Sequence, residues 1–302
     1  MDIGMVGLGR MGANMAARLA AHGHRVVGYD RSADARTAAG ADGIEPAVSL
    51  EALVSALPSP RAVWMMVPAG APVDATIGDL VPLLSRGDLL IDGGNSSYHD
   101  SVRRAAALAE RGIGYVDAGV SGGVWGREGG YSLMLGGDAE FVARITPLAE
   151  ALAPAADRGW GHVGPSGAGH FVKMIHNGIE YGLMQAYAEG FAILKAKQEM
   201  DLDLQQIATI WQHGSVVRSW LLDLAVSALE KDATLDRIAP WVDDSGFGRG
   251  TVKEAIDLNT AAPVITHALI ARLESRDQES FAYRMLAALR AEFGGHATRK
   301  DT

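Results

Sequence analysis

Through its first half the chain repeats one pattern: a short apolar run, then an amphipathic stretch with helical spacing, then another apolar run. Residues 3–6, 25–29, 62–67, 89–92 and 115–118 read as strands, and 11–21, 73–84 and 101–111 as helices between them. Strands alternating with helices predict βαβ units and a parallel sheet. Unbroken apolar runs such as Val63-Trp64-Met65-Met66-Val67 suit strands covered on both faces. Residues 130–135 and 161–164 are candidate further strands. The turn-rich segment Gly161-His162-Val163-Gly164-Pro165-Ser166-Gly167 then ends this regime. Beyond it only helical periodicity remains, over roughly 168–197, 203–213, 219–230, 250–260, 263–275 and 277–292. The expectation is a Rossmann-type parallel α/β domain over residues 1–165 and an all-helical domain over 166–302.

Composition narrows the classes of function. A formal charge of −9 argues against nucleic acid or an anionic membrane as the main partner, while leaving room for a local basic pocket. Without cysteine there is no disulfide, thiolate metal site or cysteine nucleophile. The start, Met1-Asp2 followed by a strand pattern, lacks the basic and long apolar regions of a signal peptide. No apolar run reaches membrane-spanning length, so the reading is a soluble, cytoplasmic protein.

Gly7-Leu8-Gly9-Arg10-Met11-Gly12 lies where the first strand passes into the first helix. Its glycines permit a tight turn and a close approach of pyrophosphate to the backbone, with the helix N-terminus facing the phosphates. Asp30 closes the second strand, 18 positions after Gly12. A carboxylate there accepts from the ribose hydroxyls and repels a 2′-phosphate, which favours NAD over NADP. Arg31, with Ser32 and Arg36, leaves NADP open as a second cofactor; Arg31 also reads as an adenine contact or a solvated turn residue. Val67 and Asn95, after their strands, complete the expected cofactor contacts; Asn95 or Ser96 alternatively caps the next helix. Ser121-Gly122-Gly123, after another strand, offers a hydroxyl and backbone N–H groups to an anionic substrate, or is only a flexible loop.

The most informative stretch runs from Gly167 to Tyr181. His176, Asn177, Glu180 and Tyr181 stand at +3, +4, +7 and +8 from Lys173, so all five share one helix face. Phe171, Val172, Met174, Ile175 and Ile179 occupy the rest, which predicts a buried helix with one ionisable stripe. The alternative is a solvated face. With no second carboxylate or further histidine at ligand spacing, no metal is expected.

Lys173-Met174-Ile175-His176-Asn177-Gly178-Ile179-Glu180-Tyr181 resembles the signature of 6-phosphogluconate dehydrogenases, within the β-hydroxyacid dehydrogenase superfamily. Val120-Ser121-Gly122-Gly123 and Gly93-Gly94-Asn95-Ser96 are similar to that family's substrate and cofactor loops, and Arg290-Ala291-Glu292-Phe293-Gly294-Gly295-His296 to its C-terminal segment. The resemblance spans nearly the whole chain, in the family's short form. It implies oxidation of 6-phosphogluconate at C3, with Lys173 as general base, then decarboxylation and protonation at C1 by Glu180. It also implies that Asn95, Ser121, Gly122, Gly123, His176 and Asn177 hold hydroxyls and carboxylate, and that Tyr181, Arg249, Thr251, Arg272, Arg290 and His296 hold the phosphate. A tail contributed by a neighbouring subunit implies a homodimer or homotetramer. Two rivals remain: a dehydrogenase of a small unphosphorylated 3-hydroxy acid such as 3-hydroxyisobutyrate, and a catalytically silent dinucleotide-binding protein.

Overall fold

The computed structural model describes residues 1–277 and 279–294. The first part runs β1 (Asp2–Val6), α1 (Arg10–Ala21), β2 (Arg25–Tyr29), α2 (Ala33–Gly40), β3 (Glu45–Pro46), α3 (Leu50–Ser55), β4 (Ala62–Met65) and α4 (Ala71–Leu80). It continues with β5 (Leu89–Asp92), α5 (Tyr98–Ala109), β6 (Gly114–Ser121), α6 (Gly126–Gly129), β7 (Ser132–Gly137), α7 (Ala139–Arg144), α8 (Thr146–Leu152) and β8 (Trp160–Gly164). The strands form one sheet in the order β3-β2-β1-β4-β5-β6-β7-β8. Ile3, Met5, Trp64 and Ile91 fill the core on one face of it, and Val63, Met65 and Leu90 the core on the other. That two-sided burial is why these strands carry continuous apolar runs.

Two features of this sheet depart from the expectation. β7 runs antiparallel to β6, so the sheet is not wholly parallel. The connection between them spans only residues 122–131, too short for the crossover that a parallel neighbour needs. The short elements α2, α3, α7, α8 and β3 are also additions, each too brief to build a readable period.

The helix α9 (Ala168–Ala196) follows, then α10 (Leu204–Trp211), α11 (Trp220–Lys231), α12 (Phe247–Asp257), α13 (Pro263–Glu274) and α14 (Phe281–Gly294). The compact units divide inside α9, at Met1–Ile175 and His176–Thr302, and not at the turn before it. The first turns of α9 lie so close to β6 and β7 that they belong with the sheet. In the second unit Ala208, Leu222, Val226 and Leu229 form one small core, and Tyr181, Ala268 and Leu269 another. Of the apolar positions expected to bury the start of α9, Ile179 is exposed, as are Leu183, Met184 and Ile193 further along the helix. Among the described residues no helix is long and apolar enough to cross a membrane.

Candidate active site

The first unit opens a cleft of about 850 Å³ at the carboxyl ends of β1, β2, β4 and β5. Gly7, Gly9, Arg10, Met11, Gly12, Asp30, Arg31, Val67 and Asn95 line it. The glycines are required by contact as well as by turn geometry. A Cβ on Gly7, whose φ is +93°, would meet the Met66 carbonyl oxygen at 2.6 Å, and one on Gly12 would meet the Gly7 oxygen at 1.9 Å. Gly9 precedes α1 without any side-chain cap, so the first N–H groups of the helix face an open approach. Such a loop fits a dinucleotide pyrophosphate.

Leu8 is a correction to the expected set. Its side chain is buried in the core and its N–H donates to Asp30 Oδ2 at 2.8 Å, so it contributes by holding Asp30. The other oxygen of Asp30 accepts from Ser32 N at 2.8 Å. Ser32 also caps α2, and Arg36 Nη1 donates to the Asp30 carbonyl at 2.6 Å. Two of the three groups that would welcome a 2′-phosphate are thus engaged elsewhere, and the carboxylate stands in the cleft. Met66, Pro68, Ala71 and Thr76 also line it; the first three are apolar and the Thr76 hydroxyl is turned to the Pro72 carbonyl, so no motif flags them in the sequence.

Asn95 owes its position to a buried carboxylate. Asp92, wholly buried, accepts from Gly94 N at 3.0 Å, Ser96 Oγ at 2.8 Å, Tyr115 Oη at 3.0 Å and Arg104 Nη1 at 3.2 Å. Bonds on both sides of Asn95 hold it in the left-handed region, at φ +51°, where its Oδ1 accepts from Val120 N at 3.2 Å. Burial, together with the negative charge of Asp92, pushes the Tyr115 phenol well above its ordinary range, so it stays protonated and donates to Asp92. The helix-cap alternative fails: Ser97 precedes α5 without a side-chain bond, and Ser96 is turned to Asp92.

Lys173 sits where a helix meets the sheet without intervening side chains. Its residue is only 6% exposed. Gly119 on β6 and Gly136 on β7 face Gly169 and Lys173 on α9: a Cβ on Gly119 would lie 2.5 Å from Lys173 Cβ, and one on Gly136 would lie 2.5 Å from Gly169 N. Asp117, wholly buried on β6, caps the helix by accepting from Gly167 N at 2.6 Å and His170 N at 2.8 Å. Replacing Gly119 with alanine should therefore push the lysine from its seat. We expect kcat to fall about a hundredfold, since a 1 Å misplacement can cost that much, with NAD affinity kept, as measured by steady-state kinetics and cofactor titration. Wild-type kcat in that variant would show that the close approach does not position the lysine. Ser121 ends β6 beside this seat and Gly122 and Gly123 follow it, with φ +136° and +54° at the two glycines. Arg18 ties α1 to the following turn, donating to the carbonyls of Arg127 at 3.2 Å and Glu128 at 3.1 Å as well as to those ending α8.

In the second unit His176, Asn177 and Glu180 cluster as the spacing predicts. His176 Nδ1 lies 3.0 Å from Asn177 Oδ1 and 4.0 Å from Glu180 Oε2. Tyr181 is buried, and its hydroxyl is bonded to Asp244 Oδ1 at 3.2 Å and Ser245 Oγ at 3.1 Å. The Arg272 guanidinium lies 3.5 Å over the Tyr181 ring, and Arg249 pairs with Asp244. Burial alone would raise the Asp244 carboxyl, but bonds from Arg249, Gly246 N and Tyr181 hold it below the usual carboxylate range. Its contribution to stability is therefore whole at neutral pH and is lost only as the pH falls below that range. Thr251 is buried with its hydroxyl donating to the Phe247 carbonyl at 3.2 Å and its side chain against Gly178, so it packs α12 on α9. Arg290 is exposed on α14, and His296 lies outside the described residues. Among the described residues no group of three histidine, aspartate or glutamate side chains could hold a metal ion.

Comparison with known proteins meets this geometry from outside. A model of the NAD binding domain of 6-phosphogluconate dehydrogenase matches residues 2–161, and a model of the C-terminal domain of 6-phosphogluconate dehydrogenase matches 169–298. A putative 6-phosphogluconate dehydrogenase, YqeC, of Bacillus subtilis is 46% identical over 99% of this chain and 100% of its own length. The NAD(+)-dependent, decarboxylating 6-phosphogluconate dehydrogenase of Haloferax volcanii is 45% identical over the full length of both. Among solved structures, the 6-phosphogluconate dehydrogenase of Plasmodium falciparum superposes with a TM-score of 0.84 at 28% identity, covering 100% of this chain and 66% of that one.

Proposed function

The chain belongs to the 6-phosphogluconate dehydrogenase family and is a decarboxylating, NAD-dependent member of it, and on that premise we propose that Lys173 and Glu180 of α9 carry the chemistry. The observation that supports this assignment most is the seat of Lys173: a buried amine, fixed by a glycine contact and a capped helix, on the continuous helix that bears Glu180 two turns on.

Lys173 Nζ takes the proton of the C3 hydroxyl as C3 is oxidised. Bound NAD supplies the hydride acceptor. The protonated lysine then donates to the C3 oxygen as the 3-keto acid loses carbon dioxide and negative charge gathers there. Glu180 delivers a proton to C1 of the enediol while Lys173, neutral again, takes the proton of the oxygen that becomes the C2 carbonyl, which leaves ribulose 5-phosphate. Asn95, Ser121, Gly122, Gly123, His176 and Asn177 hold hydroxyls and carboxylate. Tyr181, Arg249 and Arg272 form the phosphate end, together with Arg290 and His296 of the C-terminal segment. Arg272 over the Tyr181 ring, and Arg249 on the Asp244 carboxylate that the same tyrosine bonds, favour a phosphorylated substrate over a small hydroxy acid, because the guanidinium fork matches phosphate oxygens. Residues 1–165 serve as the dinucleotide domain, and 166–302 serve substrate binding and homo-oligomer formation. Exposed Phe281, Leu286 and Leu289 on α14 support that association. A cytoplasmic site of action belongs to the same reading.

The test is reduction of NAD and of NADP with 6-phosphogluconate, followed by product identification. Carbon dioxide and ribulose 5-phosphate should appear in step with NADH, with kcat/KM for NAD at least about tenfold that for NADP because Asp30 opposes a 2′-phosphate. Turnover of 3-hydroxyisobutyrate in place of 6-phosphogluconate would overturn the reading.

A further inference from the structure

The second unit holds a carboxylate among residues of its proposed phosphate end. Asp244 precedes α12, and its side chain is 2% exposed. It accepts three bonds at once: from Tyr181 Oη at 3.2 Å, from Gly246 N at 3.0 Å and from Arg249 Nε. The segment around it reaches the other arginine too. Arg272 Nη1 donates to the Asp243 carbonyl at 3.0 Å while its guanidinium lies over Tyr181. Residues 243–245 thus fix the tyrosine and both arginines.

A buried carboxylate beside an anion site would ordinarily oppose binding. Its contact with Arg249 resolves the difficulty. The bond uses Nε at the inner edge of the guanidinium, while the side chain of Arg249 is 56% exposed. The terminal nitrogens keep their planar pair of donors, the edge that meets a phosphate bidentately. A bond at Nε sets the plane of that pair and removes rotamer freedom that binding would otherwise have to remove. The same carboxylate accepts from the Tyr181 hydroxyl and so fixes the ring on which the Arg272 guanidinium lies.

We propose that Asp244 is the positioning residue of the phosphate end: by bonding Arg249 Nε it orients that guanidinium toward a phosphate monoester, and by holding the Tyr181 hydroxyl it fixes the ring on which Arg272 lies, without touching the substrate. The proposal rests on the reading of Arg249 and Arg272 as phosphate ligands, and the experiment separates the two. In the full-length enzyme turning over 6-phosphogluconate, Asp244→Asn is compared with Arg249→Met for kcat, for the KM toward this substrate, and for competitive inhibition by inorganic phosphate and by D-gluconate. Asp244→Asn should raise KM about ten- to a hundredfold, the range for a lost charged hydrogen bond. It should raise the Ki of inorganic phosphate in parallel, hold kcat within about threefold and leave the Ki of gluconate in place. An unchanged KM overturns the proposal. So does a gluconate Ki that rises as far as the phosphate Ki, which would mark general loss of structure. If Arg249→Met leaves the phosphate Ki unmoved, the phosphate reading itself fails; if it raises that Ki while Asp244→Asn does not, only the role of Asp244 fails. Should Asp244→Asn not fold, Asp244→Glu carries the same comparison, since a carboxylate displaced by one methylene must raise the phosphate Ki and spare the gluconate Ki.

Discussion

Replacing Lys173 with methionine is expected to abolish turnover while leaving NAD binding intact, lowering kcat by about ten-thousandfold or more. The size follows from two functions lost together. A positioned general base contributes about 10²–10⁴-fold. A donor aimed at the oxygen where charge develops contributes about 10²–10³-fold. Methionine matches the length of the lysine stem, and Lys173 is buried, so the substitution replaces a buried amine with an apolar group of similar volume. The cleft residues that fit NAD, from Gly7 to Asn95, do not include Lys173, so cofactor affinity is a clean control. Steady-state kinetics with 6-phosphogluconate and titration with NAD give the two readouts. Turnover within about tenfold of the wild type would remove Lys173 from the role of base.

The fold was legible where period and length reinforced each other. Alternating strands and long helices are written in runs such as residues 62–67 and in the stretch after Pro165, because burial on both faces of a sheet and on one face of a helix imposes different spacings. Strand direction is not written that way: β7 has the same composition whether it runs parallel or antiparallel, and only the ten-residue connection before it decides. The candidate site divides in the same manner. Lys173, His176, Asn177, Glu180 and Tyr181 share a face by helix geometry, and Gly7, Gly9 and Gly12 mark a tight turn, so spacing alone is enough to single them out as candidates. Asp92, Asp117 and Asp244 were missed because a buried carboxylate is defined by donors distant in sequence: Arg104 and Tyr115 for the first, the start of α9 for the second, Tyr181 for the third. The glycine contact beneath Lys173 joins three separate elements, β6, β7 and α9, and no local motif announces it.

Glu180→Gln should separate the two halves of the reaction that Lys173→Met removes together. Glutamine keeps the shape and a hydrogen-bonding oxygen, so the neighbourhood of His176, 4.0 Å from the Glu180 carboxylate, is minimally disturbed. What it cannot do is hand a proton to carbon. The glutamate side chain is 42% exposed, open enough for solvent to reload it after each turnover. If it is the acid at C1, kcat should fall about 10²–10⁴-fold, the usual contribution of such a group, while oxidation at C3 continues. Rapid mixing with 6-phosphogluconate and NAD should then show a burst of NADH before a slow steady rate; the Lys173→Met variant should show no burst. The isolated 3-keto acid supplies the decisive arm. Wild-type enzyme should convert it to ribulose 5-phosphate and carbon dioxide, whereas Glu180→Gln should process it as slowly as it turns over 6-phosphogluconate. Normal processing of the keto acid by Glu180→Gln would mean that another group protonates C1, and Glu180 would be left as the carboxylate that orients His176.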